Sequence, residues 1–406
     1  MSIERERARI LSIWRVESAT YNFSVGISTT MAQAYAIKVL DFDLNLLGTM
    51  VLIQLGSVGL GYFFGSILVP AFRARRILFW KLFGILNRCL WASIGFTHLL
   101  PEQHRVSLFL LNIAVAQLSG SIAGVASGDV GADLVGKERA VKFFGSISSL
   151  NMVANSLALA TATTFFSFLS EGDSYIASYI VSLVFSIVSS VFLLMLKDLS
   201  PSISGRSLRE IVADFSDIAR NSDYSSYTMI VTVFTFIVNL PGALWNYYLL
   251  NVLGGNETWV TLKAIAANLS QSLGFRVWSR VSRIIGLKKT LYTGIILTSP
   301  IPVAFTILPT LPGQLALEIY SGFVWAAYHL ANNIYTLYLP KRASRVYFIA
   351  LLNISSNTLA SAASRLGASI ASISLAAMNA VFTASTIGRI FMSIIAKRAA
   401  PDVAVK

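Results

Sequence analysis

The stretch LNLLGTMVLIQLGSVGLGYFFGSILV (44–69) carries no charged side chain and gives way at once to PAFRARR (70–76). A helix needs roughly 20 apolar residues to cross a hydrocarbon core of about 30 Å, so 44–69 reads as a transmembrane span anchored by the arginines that follow it. Comparable blocks fall at about 18–39, 77–100, 106–128, 143–168, 174–197, 225–250, 257–280, 288–309, 313–338, 345–370 and 372–396, which makes twelve. The first opens among Glu17, Ser18 and Thr20, and the eighth carries Lys263 and ends in Arg276 and Arg280. Loss of either would leave eleven.

Composition agrees with that reading. Of 406 residues 55% are hydrophobic and 13% charged, with a mean hydropathy of +0.67, so the chain needs lipid as its solvent. On a soluble protein a net charge of +13 would point to nucleic acid; here the basic residues sit between apolar blocks, and no nucleic-acid partner is expected. Cys89 alone allows neither an intrachain disulfide nor a cysteine metal cluster. The charged start MSIERERAR (1–9) does not read as a cleavable signal peptide.

The distribution of Lys and Arg orients the spans. One face collects Arg5, Arg7, Arg9 and Arg15, the groups after the even-numbered spans, and Arg389, Lys397, Arg398 and Lys406, in all 27 of the 32 basic residues. The opposite loops hold Lys38 and Arg105 against Asp41, Asp43, Glu102, Glu171, Asp173 and Glu257. Both termini are therefore expected in the cytoplasm, with the protein in the cell membrane. The hydrophilic stretch 198–224, with LREIVADFSDIAR (208–220), reads as a linker containing a short amphipathic helix. It divides the chain into six-span halves, 1–197 and 225–406.

The halves repeat each other. LNMVANSLALA (150–160) matches LNISSNTLASA (352–362), and Ser57, Leu60, Gly61, Arg75, Arg76, Leu78 and Phe79 match Ser270, Leu273, Gly274, Lys288, Lys289, Leu291 and Tyr292 at constant offset. Equivalent spans lie six apart, so the repeats are parallel. Because Asn151 and Asn155 recur as Asn353 and Asn357, a structural role at the interface between halves is expected of them, with solute contact as the alternative.

Twelve spans as six plus six, cytoplasmic termini, and basic turns after spans 2 and 8 together resemble the major facilitator superfamily. WSRVSRIIGLKK (278–289), with Arg283 and Lys288, is similar to that family's cytoplasmic turn motif, and ADLVGKER (132–139), with Asp133 and Arg139, follows span 4. The motif's aspartate is replaced by Arg283 in the second copy and is missing from the first, where Asp129 or Asp133 could substitute. The resemblance implies an all-α fold of two pseudo-symmetric six-helix bundles and alternating-access transport. It also implies that spans 1, 7 and 10 line a central cavity.

Those spans carry polar stripes at helical spacing: Ser18, Asn22, Thr29 and Gln33; Thr228, Thr232, Thr235, Asn239 and Asn246; and Glu318, Trp325, His329, Asn332 and Asn333. Solute contact is the sharper reading, and helix–helix packing the plainer one. Nearly charge-free stripes favour a neutral or zwitterionic solute. Glu318, an acid well inside a span, and Arg365 at similar depth are expected either to pair or to serve a proton or gating step. Arg88 could meet an anionic group. GADLVGK (131–137) only mimics a phosphate loop, since Glu138 stands at the magnesium-binding position, and His98, Glu102 and His104 fit no helical zinc spacing. With no paired acids, metal cluster or nucleophile–base set at membrane depth, no enzyme, cofactor or metal is expected. The expected partners are lipid and a small solute, with a coupling proton or ion, acting on a monomer; the rival is a non-transporting receptor or assembly factor on a transporter fold.

Overall fold

The computed structural model describes residues 3–135, 137–199, 207–341 and 344–402. Its first six long helices are α1 (Ile3–Lys38), α2 (Leu44–Ala71), α3 (Arg76–Ser93), α4 (Glu102–Val135), α5 (Lys137–Phe168) and α6 (Glu171–Met195). After α7 (Leu208–Arg220) come α8 (Ser222–Asn239), α9 (Leu244–Tyr247), α10 (Glu257–Ile285), α11 (Leu287–Thr298) and α12 (Pro300–Ile307), then α13 (Leu311–Tyr338), α14 (Arg345–Ala371) and α15 (Leu375–Ala399). Span 7 is α8 continued by α9 beyond a break at Pro241, and span 9 is α11 and α12, interrupted at Pro300, where the ring removes a backbone donor. Counted this way, the described residues form twelve long helical stretches plus the linker helix α7. Residues 200–206 of the expected linker lie outside the described residues.

Eight of these stretches are long and apolar enough to cross a membrane by length and composition. The remaining four, α1, α5, α10 and α13, carry polar stripes or ion-paired residues. Burial is inverted relative to a soluble protein. On α3, Leu78, Leu82 and Leu86 face outward while Asn87 and Arg88 are buried; on α6, Ile180, Val184, Ile187 and Val191 are exposed while Ser174, Ser178, Ser182, Ser186 and Ser189 are buried. Lipid tails solvate the first set, and polar groups find partners only inside.

The chain divides into two compact units: residues 1–35 with 60–212, and residues 36–59 with 213–406. The expected halves differ from these units in residues 36–59. Small residues explain that assignment, because Gly48 packs on Ala368 and Gly59 on Thr358, both on α14.

Within each unit the repeat has a matching contact. In the first, a Cβ at Gly61 would lie 2.5 Å from the Leu118 carbonyl of α4; in the second, a Cβ at Gly274 would lie 2.9 Å from the Phe323 carbonyl of α13. Gly61→Val and Gly274→Val are each expected to destabilise their own unit by roughly 1–3 kcal/mol, since backbone cannot yield as a side-chain tip can. Thermal unfolding of the two purified variants checks this, and an unchanged melting temperature in either would count against close α2–α4 or α10–α13 packing.

Candidate solute site

In the second unit, α8, α10 and α13 line an open cavity of about 460 Å³. Its lining follows helical phase: Phe234, Thr235, Val238 and Asn239 from α8, Ala267 and Gln271 from α10, and six α13 residues from Glu318 to His329. Gly322 allows the approach, because a Cβ there would collide with the Ala267 backbone. One wall is aromatic. His329 stacks on Trp325 with ring centroids 5.4 Å apart, and Phe234 lies 4.8 Å from Tyr328 and 5.9 Å from Trp325.

The polar groups in the cavity divide into used and unused. Asn239 donates to the Thr235 carbonyl at 2.8 Å, and Tyr328 hydrogen-bonds Thr235. Gln271, Ser321 and the His329 ring make no hydrogen bond among the described residues. Glu318 is paired with Lys263 of α10 at 3.2 Å, and the same ammonium lies 5.0 Å from the centroid of the Phe305 ring.

This corrects the expected pairing of Glu318 with Arg365. Lys263, on the α10 face packed against α13, is the nearer cation. Arg365 instead reaches Asn45 Oδ1 at 2.9 Å and Ser369 Oγ at 3.0 Å, beside a cleft lined also by Asp41 and Asp43. Glu318→Gln is expected to lower stability by stranding the Lys263 charge. Replacing Lys263 by Met as well should recover most of the loss, whereas replacing Arg365 should recover none; melting temperatures of the three proteins decide it.

A second correction concerns Arg389, counted from sequence among the cytoplasmic cations. The residue is 1% exposed inside α15. It shares one helical face with buried Ser385 and Ser393, donates from Nη1 to the Thr298 carbonyl at 2.9 Å, and places its guanidinium 5.7 Å from the Trp325 ring centroid. Spacing of four from Ser385 and Ser393 was the signal that it faces inward.

Of the stripe residues, Thr235, Asn239, Trp325 and His329 meet in this cavity together with Glu318. Thr232 instead bonds Ser355 of α14 at 3.0 Å, Asn332 accepts from Tyr227 at 2.7 Å, and Asn333 is exposed. Gln271, Ser321 and Tyr328 are the polar lining residues the stripes did not include. In the first unit, Asn22 and Thr29 bond back to carbonyls of α1. Ser18 of α1 donates to Asn151 at 2.9 Å, and Asn155 packs against Gly26. Asn353 and Asn357 donate to carbonyls one turn back on α14. The hydrogen bonds seen for Asn151, Asn353 and Asn357 thus lie within their own units.

The basic turn after α2 in the first unit is built on Arg76, which is fully buried. Its Nε and Nη2 engage Asp198 at 2.7 and 3.0 Å, and Nη1 lies 2.8 Å from Asp129 and 2.7 Å from Asp133. Both carboxylates expected to replace the missing turn aspartate are therefore in use, joined by a third after α6. In the second unit Arg283 is exposed and caps its own helix at the Ser279 carbonyl, while Gly286, with φ of 86°, turns the chain into α11, where Lys288 follows. Arg139 falls outside the described side chains.

The chain matches no family model, and no curated protein matches it in sequence. Solved structures do match in shape. A mutant of the nucleoside transporter NupG aligns with a TM-score of 0.69 at 12% identity, over 95% of this chain and 98% of that one. The inward-open xylose transporter XylE from E. coli aligns at 0.72 and 12% identity, over 98% and 97%. A POT family transporter in complex with a thioalcohol-conjugated peptide aligns at 0.72 and 10%, over 95% of each chain. The chain shares the fold of these transporters, an all-α architecture whose long apolar helices suit a membrane.

Proposed function

We propose that this protein moves a small solute across the cell membrane by alternating access, as a secondary or facilitative transporter. The observation that carries the reading is the cavity on α8, α10 and α13, where unpartnered amide, hydroxyl and imidazole groups surround an aromatic wall. Polar groups that reach an open cavity without a partner in the protein can hydrogen-bond a ligand placed against the aromatic wall. Lys263 cancels the Glu318 charge, so the lining supports a neutral or zwitterionic solute; nucleoside, xylose and peptide carriers share the fold. Glu318 then holds the cavity wall, and Arg365 acts at the gate formed by α14 and residues 36–59. The carrier works as a monomer of two six-helix bundles with both termini cytoplasmic.

A thermal-shift screen of sugars, nucleosides, amino acids and short peptides on purified protein tests the site, since a ligand that binds only the folded state raises its melting temperature. A stabilising compound whose effect disappears in Gln271→Ala supports the reading; one whose effect is the same in that variant and in Ser321→Ala opposes it. Orientation is checked by labelling cysteines placed at Ser202 and Gly255 in intact cells: the first should react only from the cytoplasm, the second only from outside.

A further inference from the structure

Among the described residues, the first unit holds two buried arginines built in different ways. Arg76 presents its fork to three carboxylates, two-pronged on Asp198, and such a saturated set is rigid. Arg88, 3% exposed in the middle of α3, offers only Nη2 to Glu17 of α1, while its Nε and Nη1 are buried without an acceptor. Tyr21 lies with its ring centroid 4.7 Å from the guanidinium and donates to Asn87 Oδ1 at 3.1 Å; Tyr62 of α2 stands near Tyr21, and from α6 the neighbour is Ser186.

From Glu17 a polar line continues along α1 through Tyr21, Ser24, Ser28 and Tyr35 at helical spacing, meeting α3 at Glu17 and Tyr21 and α6 at Ser24, Ser28 and Tyr35. The hydroxyls of Ser186, Ser24, Ser182 and Ser28 are joined in that order at 2.6, 3.2 and 2.7 Å. Ser186 also reaches the Arg88 carbonyl at 3.3 Å. At the other end Tyr179 donates to the Ser28 carbonyl at 3.4 Å, and the Tyr35 hydroxyl lies 3.0 Å from His98 Nδ1. Ser178, beside this line on α6, keeps a buried hydroxyl without a partner.

We propose that Glu17 is a proton-binding site, reached along the hydroxyl seam between α1 and α6 and freed from Arg88 when it is protonated. Parting a carboxylate from a guanidinium at membrane depth strands two charges, whereas a protonated Glu17 strands none of its own and leaves Arg88 on the Tyr21 ring. A hydronium ion adds its proton to a Glu17 carboxylate oxygen, the hydrogen bond from Nη2 breaks, and Arg88 keeps both its charge and its proton. Each serine on the route accepts one proton and passes on another, ending unchanged. Only the use of this proton as a coupling ion rests on the transport reading; the titration does not.

Infrared difference spectra of the full chain in phosphatidylcholine vesicles, taken between alkaline and acidic buffer, test the site. A protonated-carboxyl band is expected that Glu17→Gln abolishes and Glu318→Gln retains. The double variant Glu17→Gln with Arg88→Met removes the same band without stranding a charge, so misfolding cannot mimic the result. Ser182→Ala should keep the band but slow its shift in deuterated buffer several-fold. A band that survives both Glu17 variants, or is lost with Glu318, overturns the assignment, and an unchanged exchange rate in Ser182→Ala overturns the route. Absence of solute flux would leave all of these spectra as they are.

Discussion

Arg76→Met is expected to lower stability by about 3–5 kcal/mol, the range for removing one partner of a buried ionic set. The side chain is fully buried and is the cation that Asp129, Asp133 and Asp198 share at 2.7–2.8 Å. Without it three carboxylates, none more than a quarter exposed, lose a shared counter-charge. Arg76→Lys should recover only part of the loss, since an ammonium cannot reproduce the two-pronged contact with Asp198. Unfolding in detergent, followed by helical circular dichroism, measures both. A methionine variant within about 1 kcal/mol of the parent, the range of a surface pair, would mean that the cluster does not hold the turn.

The second large effect concerns Trp325. Its ring contacts Phe234, Tyr328 and His329 and has the Arg389 guanidinium 5.7 Å from its centroid, so it is the residue on which the aromatic wall converges. Truncating an aromatic anchor of this kind costs about 2 kcal/mol of binding, roughly a thirty-fold weaker affinity. Trp325→Ala is therefore expected to weaken a stabilising solute thirty-fold. Trp325→Phe should lose less, since it keeps a stacking face. Calorimetric titration of the two variants separates these outcomes, and equal affinity in all three proteins would remove the aromatic wall from the site.

How far the sequence could be read depended on what kind of signal each residue gave. Long uncharged runs such as 44–69 have one physical solution in lipid, so the all-α membrane fold was legible, and LREIVADFSDIAR (208–220) is the observed α7 helix. Helical phase on α8 and α13 brought Thr235, Asn239, Trp325 and His329 to one cavity because residues four apart share a face. Phase does not say which neighbour lies opposite. Glu318 was matched with Arg365 by depth, yet Lys263 of the eighth span, the residue that had made that span look doubtful, is its partner. Glu17 was treated as marking the edge of the first span; instead α1 runs unbroken from Ile3 and carries Glu17 inward to Arg88, a contact between residues 71 apart in sequence. Arg389 shows the same limit, since its nearness to Lys397 and Arg398 suggested a terminal cluster while its register with Ser385 and Ser393 placed it inside.

Transport itself is tested most directly by counterflow. Proteoliposomes are loaded with an unlabelled compound that raises the melting temperature and are diluted into a trace of the same compound carrying a radiolabel. Transient accumulation of label in wild-type vesicles, reduced in Trp325→Ala in proportion to its weaker binding, is the expected result. A protein that binds the compound through this cavity but shows no accumulation above protein-free vesicles would contradict the account and make the chain a receptor on a transporter fold.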